Sequence, residues 1–151
     1  MNNYEKAKKE YYEALTKAYD AHYNSLSGIN VKKNEKIVLK CKTDYCFYFA
    51  RDIPGADIKA HERVILEFKN PQYCYDFALY IPGADIKAHE QVILELKDPE
   101  FSYRFAKNIS GVNIEEHFKV IYNSGDKAWL NWFIEKVNYK NTRVEEWLMY
   151  I

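Results

Sequence analysis

A chain of 151 residues is long enough for one domain and its core, and 22 basic against 22 acidic side chains leave no net charge for gripping nucleic acid. No apolar run reaches the roughly 20 residues that a membrane-spanning helix needs. The start, "MNNYEKAKKEYYEAL", has no apolar export core, which predicts a cytoplasmic protein. Three cysteines, Cys41, Cys46 and Cys74, are too few and too odd a set for a disulfide framework. They read as reduced thiols, with Cys46 and Cys74 as small buried apolar groups. The charge is mildly uneven: residues 1–42 hold nine lysines against five acids, and the remainder 13 basic against 17 acidic residues. Aromatic content is high, with 14 Tyr, 8 Phe and 3 Trp.

The first predicted element is a long helix over residues 3–26. Tyr4, Ala7, Tyr11, Leu15, Ala18 and His22 fall on one stripe. This helix is predicted to cap the N-terminal end of the domain.

A repeat then begins. "DIPGADIKAHERVILEFKNPQYCYDFA" is followed by "YIPGADIKAHEQVILELKDPEFSYRFA", 28 residues on. A shorter copy, "LSGINVKKNEKIVLKCKTDYCFYFA", precedes them, and a diverged one, "NISGVNIEEHFKVIYNSGDKAWLNWFI", comes after. Phe49, Phe77, Phe105 and Phe133 recur in register, as do Gly55, Gly83 and Gly111. A unit this small cannot bury its apolar face alone, but stacked copies can.

Each copy is predicted to be a pair of helices. The first opens at Asn30, Asp57, Asp85 or Asn113, whose side chains can accept from first-turn amides. Ile58, Val64, Ile65 and Phe68 then come at helical spacing. The second helix is capped by Asn70, Asp98 or Asp126, with Pro71 and Pro99 at its first position. Pro54 and Pro82 stop it, and the next residue, a glycine, turns the chain. At the end of the chain, "NTRVEEWLMYI" resembles a last half-repeat. The predicted fold is all-α: a right-handed α-solenoid of about four hairpins over 27–137, capped by 1–26 and 138–151, forming one domain.

The motifs "PGADIKAHE", "NPQYCYDFA" and "DPEFSYRFA" resemble tandem "GADIKA"-type repeats of phages, mobile elements and some bacteria. The resemblance covers residues 27–137. It implies a packing unit, and no shared catalytic function is known for these repeats. It suggests an accessory protein that sterically blocks a host factor, such as a defence component. In that repeat type the histidine position is more often leucine, so the histidines of this chain are departures.

His61, His89 and His117 stand 28 residues apart. Stacked helices about 8–10 Å apart would spread them along the stack. Zinc needs all its ligand nitrogens at about 2.0–2.1 Å from one point. No metal site is predicted. The leading expectation is a buried histidine bonded to a neighbouring carbonyl or tyrosine; a pH-sensitive stack is the sharper alternative. Glu62, Glu67, Glu90 and Glu95, with the pairs Glu115–Glu116 and Glu145–Glu146, read as solvent-facing. No phosphate loop, nucleophile elbow, HExxH or CxxC motif is present, so neither catalytic residues nor a cofactor are predicted.

The copies disagree within the second helix. One position reads Tyr48, Asp76, Arg104, Trp132; another Arg51, Leu79, Lys107, Glu135; a third Phe47, Tyr75, Tyr103, Asn131. Variation on a fixed scaffold is what recognition requires. Phe47, Tyr48, Arg51, Tyr75, Asp76, Tyr103, Arg104, Lys107 and Trp132 are therefore the predicted partner-binding residues, and the partner is another protein. Nucleic acid is the second reading, through aromatic stacking of bases, opposed by Asp44, Asp76 and Glu100. An undetected enzyme is the third, and self-association through the terminal helices stays open.

Overall fold

The computed structural model describes residues 2–137. All regular structure among these residues is helical: α1 (Asn3–Leu26), α2 (Val31–Cys41), α3 (Tyr45–Asp52), α4 (Ile58–Phe68), α5 (Pro71–Tyr80), α6 (Ile86–Leu96), α7 (Pro99–Asn108), α8 (Ile114–Ser124) and α9 (Lys127–Lys136). The predicted C-terminal cap, residues 138–151, lies outside the described residues. The chain divides into two compact units, Met1–His89 and Glu90–Ile151, with the boundary inside α6. No helix among the described residues is long and apolar enough to cross a membrane.

In the first unit α1 lies along α2 and touches α3, while α3 packs on α4 and α5. In the second unit α7 packs on α8 and α9. The same positions fill both cores. Phe49, Phe77, Phe105 and Phe133 are 0–1% exposed, and Ile65, Ile93 and Ile121 are completely buried. Cys46 and Cys74 are buried too, 3.8 and 3.9 Å from the carbonyls of Val38 and Ile65. Burial pushes both thiols up to about 12.

The helix boundaries arise from local chemistry. Asp57 Oδ1 accepts from the Ala60 amide at 3.0 Å, Asp85 from Ala88 at 3.1 Å and Asn113 from Glu116 at 3.3 Å. Asn70, Asp98 and Asp126 cap the second helices in the same way. Between hairpins, Ile53–Pro54–Gly55–Ala56 closes a turn through the Ala56 amide and the Ile53 carbonyl, 3.2 Å apart. Proline at its second place and a glycine at φ +79° at its third make this a type II turn. An added Cβ on Gly55 would meet nothing within 4 Å, so the requirement for glycine is torsional.

Proline is not essential to that stop. The last, diverged copy has Ser110 in its place, yet α7 still ends at Asn108 and Ile109 is still extended. What the copies share is a buried aliphatic at the stop, Ile53, Ile81, Ile109 or Val137, each 5–8% exposed. Burying that side chain pulls the backbone out of the helix.

Two expectations need correction. Asn30 does not cap α2: it sits in the left-handed region at φ 51° and makes no side-chain cap bond. Asparagine tolerates that region. The turn is closed instead by Asn34, whose Nδ2 donates to the Ile29 carbonyl at 2.8 Å. The stripe on α1 is also only half covered. Ala18, Ala21 and Ser25 are buried, but Tyr4, Ala7 and Tyr11 are exposed, because α2 and α3 cover only the C-terminal half of the helix.

Candidate functional site: buried joints and an aromatic face

The three repeat histidines are the most regular polar feature. Each is completely buried, and its partner is a glutamate from the first helix of the preceding copy. In the first unit His61 Nε2 is hydrogen-bonded to Glu35 Oε1 at 3.1 Å, and His89 Nε2 lies 3.3 Å from Glu62 Oε1. In the second unit His117 Nε2 lies 3.3 Å from Glu90 Oε1. At His89 and His117 the atoms are in ion-pair range but not aligned for a hydrogen bond.

The same glutamate oxygen does a second task. Glu35 Oε1 accepts from the Asp57 amide at 2.6 Å, Glu62 from Asp85 at 2.5 Å and Glu90 from Asn113 at 2.5 Å. Each glutamate therefore holds the N-cap amide of the next copy and faces its imidazole, which it also hydrogen-bonds at His61. A phenylalanine closes the other side of the ring. Phe49 stacks on His61 at 5.1 Å and Phe77 on His89 at 5.3 Å, each with 27° between planes. Phe105 faces His117 at 5.8 Å and 33°.

Glu62 and Glu90 are thus not solvent-facing. They are 3% and 9% exposed, whereas Glu67 and Glu95 do face solvent. His61 bonds to a carboxylate, and His89 and His117 face one, in place of the expected carbonyl or tyrosine. Their burial pulls all three imidazoles below the ordinary histidine range, His117 to about 4. Among the described residues no three metal-ligating side chains come together.

The second helices carry the predicted partner-binding residues. Phe47 and Tyr75 are buried, 3% and 7% exposed, and belong to the packing. Tyr48, Asp76, Tyr103 and Arg104 are half-buried, and Arg51, Lys107 and Trp132 are exposed.

In the first unit Arg51 lies 5.1 Å from the Tyr48 ring centre and 5.3 Å from that of Phe47. Asp52 holds it there through Nε at 2.6 Å. The Arg51 hydrogen bond keeps the Asp52 carboxyl below its usual range. Tyr48 meets Tyr73 edge-on at 6.3 Å, and the Tyr73 hydroxyl donates to Asp44 Oδ2 at 2.7 Å. Burial first, then Asp44, raises the Tyr73 hydroxyl pKa, so it stays protonated. Tyr45 links this group to Tyr19 of α1, which stacks on Tyr23.

In the second unit Tyr103, Trp129 and Trp132 form a mutual cluster, with centres 4.8–6.4 Å apart. Lys107 Nζ sits 5.5 Å from the Tyr103 ring, and Arg104 lies over Phe101 at 5.3 Å. Glu100 pairs with Arg104.

Sequence reasoning missed Tyr45, Tyr73, Phe101 and Trp129. That column is aromatic in every copy, which reads as packing, yet its members are half-buried and meet the variable face. It also missed the contribution of α1, where Tyr19 and Tyr23 remain 49% and 60% exposed and His22 Nε2 lies 3.1 Å from Asp52.

A groove of about 650 Å³ runs along α1 and α2, lined in part by Glu10, Lys17, Asp20, Asn34 and Cys41. Burial raises the Cys41 pKa, the opposite of what a nucleophilic thiol needs.

No family model matches this chain, and neither curated proteins nor solved structures show a similar one.

Proposed function

We propose that the chain is a protein-binding helical repeat module that works without catalysis. Its hairpins build a right-handed solenoid, and the second-helix face takes the partner. One observation carries this reading: aromatic rings and cations are clustered and left open on that face. Trp132 is 48% exposed while packed on Tyr103 and Trp129, with Lys107 over Tyr103. Pre-positioned Trp, Tyr and Arg side chains are the groups that dominate protein interfaces, because they bury much surface at little further entropy cost.

Nucleic acid is the weaker fit. Arg51 and Arg104 are already paired with Asp52 and Glu100, Asp44 accepts from the Tyr73 hydroxyl, and Asp76 lies near Arg51. A phosphate backbone would meet neutralised cations and two carboxylates. The resemblance to repeats of phages and mobile elements adds a partner class: a host defence factor blocked by occupancy of its surface.

The test is a capture experiment with a variant that spares the core. Tyr48→Ala, Arg51→Ala, Lys107→Ala and Trp132→Ala are combined, and binding to the protein retained from host lysate is then titrated. Loss of two hot-spot side chains weakens affinity by roughly 100-fold or more. The melting temperature should move by only a few degrees, since none of the four is fully buried. Unchanged affinity in the folded variant would reject this face.

A further inference from the structure

We propose that the glutamate–histidine joints form an acid-sensitive release: the packed imidazoles resist a second proton, so mild acid favours the opened state, in which they take it up, and loosens consecutive first helices from one another. The surroundings of each ring carry this. Nε2 faces a glutamate that also accepts a backbone amide, hydrogen-bonded at His61 and 3.3 Å away at His89 and His117, and an ionised carboxylate on that side favours the neutral ring with its proton on Nε2. A second proton would go to Nδ1. In all three rings that atom is buried with no protein acceptor within reach. Phe49, Phe77 and Phe105 close the ring faces.

The charges around each ring are few. His61 meets Glu35 of α2 and the Asp57 cap. His89 meets Glu62 of α4, the Asp85 cap and Lys59, which opposes protonation. His117 meets Glu90 of α6 and Glu116 of its own helix. From α3, α5 and α7 the groups facing the rings are the three phenylalanines, which carry no charge. The carboxylates favour the imidazolium, but burial outweighs them at all three sites.

Linkage sets the sign. A histidine held below its unfolded value of about 6.5 leaves the unfolded chain binding more protons in acid. The stabilisation is complete above that value and is lost as pH falls toward the folded value, near 4 for His117. Between pH 7 and pH 5, His117 alone lowers the folding equilibrium constant by roughly 20-fold, given its folded value near 4. His61 and His89 act in the same direction.

The chain supplies the control residue. Asn34 occupies the histidine position of the first copy, where no glutamate precedes it. Urea unfolding from pH 7.5 to pH 5 should show a loss well beyond 20-fold for wild type. A chain with His61→Asn, His89→Asn and His117→Asn should show a nearly flat profile. If that variant does not fold, imidazole nitrogen shifts in wild type decide. Rings that stay neutral with the proton on Nε2 down to pH 5.5 support the release. An equal pH slope in the folded variant, or imidazoles titrating at or above 6.5, would overturn it.

Discussion

Glu62→Ala should remove about 1–3 kcal/mol of folding stability, although a hydropathy reading places this side chain in solvent. The carboxylate is 4% exposed, and each oxygen is in use. Oε1 accepts from the Asp85 amide at 2.5 Å and faces His89 Nε2 at 3.3 Å, while Oε2 takes Lys59 Nζ at 3.1 Å. Alanine leaves the Asp85 amide without its acceptor and takes away the carboxylate that faces His89, in a site that water reaches poorly. An orphaned donor costs about 1–3 kcal/mol. Lys59 is exposed, and losing its contact costs little. Glu62→Gln keeps one acceptor oxygen and should cost much less. Glu67→Ala, one helical turn further and exposed, should stay within about 0.5 kcal/mol. Urea unfolding of the three variants checks the order. Equal effects at Glu62 and Glu67 would show that the carboxylate is not part of the joint.

Phe77→Ala should cost more still, about 3–5 kcal/mol. The ring is 0% exposed and joins three elements of the first unit. It lies on α5, stacks on His89 at 5.3 Å and meets Phe47 of α3 at 6.5 Å. Truncation opens a cavity and removes the lid over a buried imidazole. Tyr80→Ala on the same helix, 59% exposed, should be close to neutral. A domain of this size has a total stability on the order of 5–15 kcal/mol, so Phe77→Ala leaves a protein near its unfolding threshold at 37 °C. Thermal unfolding monitored by circular dichroism reads this directly. A fall of only a few degrees would mean that the ring is not central to the core.

Much of the local structure was legible because it rests on short-range chemistry. Asp57 and Asp85 cap within three residues, Pro71 and Pro99 open their helices, and the phenylalanine column marks the core by its spacing alone. The joints were harder, because their halves lie 22 or 23 residues apart and join a charged group to a backbone amide. Residue-by-residue hydropathy sends a glutamate to solvent. The signal was nevertheless in the columns. Glu35, Glu62 and Glu90 recur, and the next place in that column is Phe118. The histidine column begins with Asn34, before which no glutamate stands. Every glutamate is thus matched by a histidine in the next copy, and neither column has a member left over.

The face was legible only in part. Variable positions located Arg51, Lys107 and Trp132 on open surface, but variability also marked Phe47 and Tyr75, which are packed away. Sequence variation does not separate exposure from a core position that tolerates several aromatic residues. Asn30 failed for a different reason. A capping side chain is useful only with extended backbone, and the shorter first copy puts this residue at positive φ.

The most direct test of the joint is amide exchange at Asp57, Asp85 and Asn113. All three residues are exposed and precede a helix, where amides ordinarily exchange within the fastest group. Their donation to Glu35, Glu62 and Glu90 predicts protection comparable to the helix interiors, with Glu62→Gln weakening it most at Asp85. Exchange at the unprotected rate at all three amides, with the helices themselves protected, would contradict the account.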